Sequence, residues 1–190
     1  VDSTLVQKLR AGGYIIFIRH SITNWSERDT QEGDFSNRAA QRNLSEAGRA
    51  QAAGVGKAIA ALKIPIAKVL SSPMWRARDT AQLAFGAYDT TGYLFFKGPQ
   101  LREARVKMLS TAPPPGKNMI FVGHQDPLLP IVPGLKRDQV REGDALIIQP
   151  LGGGKFRVIV QVTPADLARL AGLPVPAEAP GAPAAASNTP

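Results

Sequence analysis

The chain has 190 residues, a formal net charge of +8, two histidines and no cysteine. The length suits one domain with a sizeable core. The missing thiols exclude disulfides and thiolate metal sites, and no apolar run approaches the roughly 20 residues of a membrane span.

Ser3 to Arg10 reads as a short helix, with Ser3 as its cap and Gly12-Gly13 as its stop. Tyr14-Ile15-Ile16-Phe17-Ile18 follows, apolar and rich in β-branched and aromatic residues, and ends in Arg19-His20. Such a run fits a strand buried on both faces of a parallel sheet. Ser21 to Asn43 is polar and without period, and a loop of that length in a compact domain is usually functional. Because it starts where the strand ends, it is expected to wall a site. A helix is expected from Glu46 to Leu62 behind Ser45, then a strand at Ala67 to Ser71. Ser72-Pro73 leads into another helix, with Pro73 near its first position and an end near Gly86.

Tyr93 to Phe96 fits either a strand or a loop packed under the sheet, and Leu101 to Leu109 reads as helix, broken by Pro113-Pro114-Pro115-Gly116. Asn118 to Gly123 repeats the design of the first strand and ends in His124, the second histidine. Asp144 to Gln149 and Phe156 to Val162, joined through Gly152-Gly153-Gly154, read as a β-hairpin. Thr163-Pro164 opens a last helix to about Leu170. Residues 1–172 are expected to form the catalytic domain, and the Pro/Ala-rich residues 173–190 a disordered tail. The alternation implies an α/β fold, a three-layer α/β/α sandwich with a mostly parallel central sheet and an antiparallel hairpin at one edge.

In such sheets ligands bind outside the carboxyl ends of the strands. Three connections leave that edge and carry Arg19 with His20, Arg76, and His124. Guanidinium forks match phosphate oxygens bidentately, and a neutral imidazole can act as a nucleophile. Two imidazoles and two guanidiniums in one crevice would stabilise a phosphoryl transition state without a metal. The basic charge agrees with an anionic partner. Nucleic acid is not the expected one: no Lys/Arg run of five or more occurs, and aromatics are 6% and not interleaved with basic residues. A small phosphorylated substrate is expected, with no cofactor, no metal and no membrane span. The sequence leaves the oligomeric state open. The chain begins at Val1 and not Met, which makes a removed N-terminal piece the expectation. A secretory leader is one candidate, so a periplasmic or secreted location is expected and a cytoplasmic one is the alternative.

These residues also fall into ordered motifs. Arg19-His20-Ser21-Ile22-Thr23-Asn24-Trp25-Ser26 resembles the Arg-His-Gly-x-Thr-x-Trp-Asn element of the histidine phosphatase superfamily, the group with the phosphoglycerate-mutase-like fold. Leu44 through Gly48 to Gln51-Ala52, Ser71 to Ala81 with Arg76, and Val122-Gly123-His124 resemble its next three elements. The resemblance implies a nucleophilic His20 that becomes phosphohistidine, with Arg19, Arg76 and His124 forming the phosphate pocket. Thr23 and Ser26 are the implied substrate contacts. Two departures stand out: Ser21 replaces the usual Gly, and Ser26 replaces an Asn that often contacts phosphate. For the general acid the candidates are Asp126, one residue further from His124 than in one branch of the family, and Glu103. Glu27 and Asp29 on the polar loop are further options. The resemblance implies a metal-independent phosphatase acting on a phosphomonoester or phosphoprotein. A phosphate mutase and a non-catalytic anion-binding protein of the same fold are the alternatives.

Overall fold

The computed structural model describes residues 1–31 and 33–175. Its strands are β1 (Ile15–Arg19), β2 (Ile66–Ser71), β3 (Asp89–Thr90), β4 (Asn118–Gly123), β5 (Ala145–Gly152) and β6 (Lys155–Val162). Its helices are α1 (Ser3–Ala11), α2 (Glu46–Ala61), α3 (Trp75–Phe85), α4 (Pro99–Ser110) and α5 (Pro164–Leu170). The strands make one sheet in the order β3-β2-β4-β1-β5-β6. Neighbours from β3 to β1 run parallel, whereas β5 is antiparallel to β1 and β6 to β5. The expected architecture is therefore present, hairpin included.

The apolar run of β1 explains why the sheet lies between two helical layers. Successive side chains on a strand point to opposite faces. Ile16 and Ile18 join the core under α1, α2, α3 and α5, with Leu9, Val55, Ile59 and Leu167. Ile15 and Phe17 join the other core, with Leu94, Leu109 of α4, Leu128 and Val132. All four β1 side chains are 2% exposed or less.

Register fixes where the strands end. Arg19 of β1 is paired with Gly123 of β4, and Val122 of β4 with Ser71 of β2. The carboxyl ends of the three central strands are thus level, and the next residues, His20, His124 and Ser72, emerge at one edge.

Several local expectations are corrected. Asp2, not Ser3, caps α1: its carboxylate accepts from the Thr4 and Leu5 amides. Pro73 lies outside α3, because the extended Met74 is the cap residue and its amide donates to Ser72 Oγ. Pro99 occupies the first turn of α4, two residues before the expected start. Residues 93–96 form neither a strand nor a plain loop. Gly92–Leu94 is a turn of 3₁₀ helix after the two-residue β3, and Leu94 anchors it in the core. From residue 176 the expected tail lies outside the described residues. No helix among the described residues is long and apolar enough to cross a membrane.

Candidate active site

A cavity of about 500 Å³ opens at the carboxyl edge of the sheet, and Arg19, His20, Arg42, Arg76, Phe95 and His124 are among its lining residues. The His20 amide donates to the Gly123 carbonyl at 3.0 Å, which ties the exit of β1 to the end of β4. The two imidazoles face each other with centroids 5.2 Å apart and planes tilted by 55°.

His20 is oriented by its own backbone neighbour. Its Nδ1 lies 2.9 Å from the Ser21 carbonyl oxygen. A carbonyl only accepts, so Nδ1 carries the proton and Nε2 keeps its lone pair. His124 is oriented from β2: its Nε2 is 2.7 Å from Ser72 Oγ. Phe95 packs edge-on against the same ring at 5.4 Å. Burial, then the charges of Arg76, His124 and Arg19, push the His20 imidazole well below its ordinary value. Burial, Arg76, Arg19 and Arg42 do the same to His124. Both rings are neutral at pH 7 in the absence of an anion.

The guanidiniums come from three separate segments. Arg19 ends β1 and donates Nη1 to the Val140 carbonyl at 2.6 Å. That residue's amide is held in turn by Gln125 Oε1, next to His124. Arg76 stands in the first turn of α3, 7% exposed, with Nη1 at 3.0 and 3.1 Å from the two Asp29 carboxylate oxygens. Arg42 comes from the polar loop. Its guanidinium stacks 3.9 Å over the Trp25 ring and lies 3.9 Å from Glu142. The Nε atoms of Arg42 and Arg76 are buried without a partner.

The structure therefore brings Arg19, His20, Arg76 and His124 to one cavity and separates the remaining sequence candidates. Asp126 lines the cavity, its carboxylate 3.1 Å from Arg137 and 3.7 Å from Lys97. Glu103 lies on α4 and lines a neighbouring groove instead. Thr23 does not reach the cavity, because its amide and hydroxyl both donate to Glu142, at 3.0 and 2.8 Å. Ser26 is exposed and bonds Asn24, two residues away. Asp29 engages Arg76, and Glu27 Oε2 accepts the Asn43 amide at 2.8 Å. Ser21 is accommodated in the buried interior, its amide donating to Thr80 Oγ1 and its own hydroxyl without a partner.

Sequence reasoning missed Arg42, Ser72 and Phe95. A signal for Ser72 was present in Ser71-Ser72-Pro73, beside Arg76. None existed for Arg42, which reaches the cavity only because the polar loop folds back through the Thr23–Leu44 bridge. The motif from Leu44 to Ala52 supports this loop. Gly48 packs so closely on the Ile22 carbonyl that a Cβ there would overlap it. Gln51 Oε1 accepts the Ile22 amide at 3.2 Å, and Ala52 is fully buried.

Fold and site together define an α/β protein with a cationic, two-histidine cavity. Residues 15–107 match the family described as histidine phosphatase superfamily (branch 1). That stretch, nearly half of the chain, carries the family match and three of the four motifs, and the fold agrees with it. It is similar to the protein histidine phosphatase SixA, solved in complex with tungstate, at 16% identity and TM-score 0.59, over 81% of this chain and 99% of that one. It is also similar to the alpha-ribazole phosphatase of Shigella flexneri, at 16% identity and TM-score 0.56, over 80% and 96% of the two chains. Bacillus stearothermophilus YhfR gives 19% identity and TM-score 0.55, over 77% and 95%. At these identities the likeness is one of fold. No curated protein matches the chain.

Proposed function

We propose that the protein is a metal-independent phosphatase that hydrolyses a phosphomonoester through a phosphohistidine on His20. The observation that carries this reading is the convergence of His20, its Nε2 left free, with His124, Arg19, Arg42 and Arg76 in one cavity. The superfamily and the phosphatases among its structural neighbours support it.

In the first step Nε2 of His20 attacks phosphorus. The N–P bond forms, and the P–O bond to the leaving group breaks with both electrons going to that oxygen. The guanidiniums neutralise the equatorial oxygens, the work that divalent ions do in other phosphoryl-transfer sites. Ser72 already accepts the Met74 amide at 3.2 Å, so its hydroxyl proton is free to point at His124 Nε2. That leaves the proton of His124 on Nδ1, available to a phosphate oxygen. Among the described residues Asp126 is the carboxylate in the cavity lining, and it is the candidate proton donor to the leaving oxygen. In the second step water attacks phosphorus, the N–P bond breaks, and phosphate leaves with His20 restored.

Turnover of p-nitrophenyl phosphate in the presence of a chelator tests the reading. Rapid quench with labelled substrate should trap an acid-labile, base-stable phosphoprotein, and His20→Ala should trap none while keeping its fold. An active His20→Ala enzyme, or activity lost on chelation and restored by a divalent ion, would overturn it. Phosphate binding with no turnover would leave an anion-binding protein.

A further inference from the structure

A second, larger hollow adjoins the phosphate cavity. It encloses about 1480 Å³ and runs between α4 and the β5–β6 turn. Lys97, Asp126 and Pro127 line both hollows, so the two lie side by side. A phosphate group and a small leaving group would fill the first and leave the second empty, since drug-sized ligands occupy roughly 300–1,000 Å³.

The lining of the groove follows α4 from Pro99 to Ser110. α4 has 12 residues, and at about 1.5 Å per residue it spans about 18 Å. Five or six extended residues cover that distance at about 3.3 Å each. The floor is apolar, with Val106, Pro127, Leu129 and Pro130. At the far end the turn presents Gly152 and Gly153, which no other side chain approaches, and Gly154, which Val106 flanks.

Charge identifies the kind of chain. Five basic side chains line the groove against two acidic ones. They are not equivalent. Arg105 is buried, and its guanidinium donates to the carbonyls of Tyr93, Phe96 and Pro127, bracing the wall between the two hollows. Lys97 and Arg137 share Asp126 at the junction. Arg102 and Lys107 are exposed, and among the described residues neither is in an ion pair.

We infer that this groove binds the segment flanking the phosphorylated residue of a peptide or protein substrate, and that the segment is acidic with interspersed apolar residues. The inference rests on the proposed phosphatase reading. Apolar side chains settle on the floor, carboxylates meet Arg102 and Lys107, and the phosphoryl group enters between His20 and His124. Complementary rim charges of this kind set preference and salt dependence more than raw affinity.

The test uses ten-residue peptides that differ only in their flanks: Glu/Asp with Leu, Ala alone, or Lys with Leu. Each is made with phosphoserine, phosphotyrosine and phosphohistidine, and p-nitrophenyl phosphate is run beside them. The readout is the ratio of kcat/KM for the acidic peptide to that for its lysine counterpart. That ratio should favour the acidic peptide and fall with added salt. In the Arg102→Glu/Lys107→Glu double variant, checked for fold by circular dichroism, it should drop about tenfold or more, each reversed contact contributing on the order of 1 kcal/mol.

Turnover of every peptide without charge preference would overturn the inference. So would a preference that survives the double reversal, or cleavage of p-nitrophenyl phosphate with no cleavage of any peptide. If nothing is cleaved, the aryl phosphate included, it is the phosphatase reading that fails. Fluorescence anisotropy of the labelled acidic peptide then decides the groove by itself. Binding weakened by the double reversal sustains it, and no binding, or binding indifferent to the reversal, overturns it.

Discussion

His20 and His124 face each other at 5.2 Å between ring centroids, and the protein holds both of them uncharged. Burial and the surrounding guanidiniums make a further positive charge on either ring costly. The same arrangement makes an arriving phosphate welcome, because its negative charge offsets part of that positive field.

A pH dependence of stability follows. Both imidazoles titrate lower in the folded chain than in the unfolded one, so at mildly acidic pH the unfolded chain binds more protons. The histidine contribution to stability is complete above about pH 6.5 and is lost progressively as the pH falls from there toward the lower folded values. Inorganic phosphate favours the imidazolium forms in the folded chain and should therefore shrink the loss. Thermal midpoints recorded from neutral to mildly acidic pH, with and without phosphate, check both statements. Midpoints indifferent to pH over this range would mean that the rings are not held neutral.

Asp29 holds Nη1 of Arg76 with both carboxylate oxygens and competes there with an arriving phosphate. It also accepts the Arg42 amide at 2.9 Å, so it pins the polar loop over the cavity. Asp29→Asn should keep the loop contact and remove the competing charge. Inhibition by inorganic phosphate should then tighten several-fold. Arg76→Ala should act in the opposite direction, with a loss on the order of 10²–10³ in rate by analogy with deleting one oxyanion donor. Steady-state inhibition constants measure the first effect, and unchanged or weaker phosphate inhibition in Asp29→Asn would refute the competition.

How much of this was legible in the sequence depended on how local each signal was. β1 and β4 were readable because both are short apolar runs that end in a polar pair or a histidine. Their parallel register then placed His20 and His124 at one edge. Arg76 followed from the turn into α3. Arg42 and the Thr23–Glu142 pair were not legible. Thr23 sits in a motif that suggests substrate contact, yet both its polar groups engage a carboxylate 119 residues further on. Such pairings are set by how the loop closes over the sheet, and neither periodicity nor spacing encodes that. The general acid was ambiguous for the same reason. Glu103 and Asp126 are comparable on paper, and only the path of α4 separates them.

Ser21 offers a stability prediction. Its hydroxyl is buried and has no hydrogen-bond partner, and a buried unsatisfied group costs about 1–3 kcal/mol. The backbone there is not in the left-handed region, so alanine fits without strain. Ser21→Ala retains the amide bond to Thr80 and should raise stability by about 1 kcal/mol, or roughly 2–4 °C in Tm. A lower Tm would show that the hydroxyl has a partner after all, a bound water being the simplest.

Asp126 can be tested as proton donor by the leaving group it serves. Among the described residues it is the acidic side chain in the cavity lining, with Lys97 and Arg137 beside it. A p-nitrophenolate departs without a proton, whereas an alkoxide does not. General acid catalysis contributes about 10²–10⁴-fold where it is needed. Asp126→Asn should therefore reduce kcat on an alkyl phosphate by about that factor and on p-nitrophenyl phosphate far less. Glu103→Gln, in the adjoining groove, should not reproduce this selectivity. The measurement is kcat for the two substrates in each variant. Equal losses on both substrates in Asp126→Asn would assign the residue to binding or architecture and reopen the search for the acid.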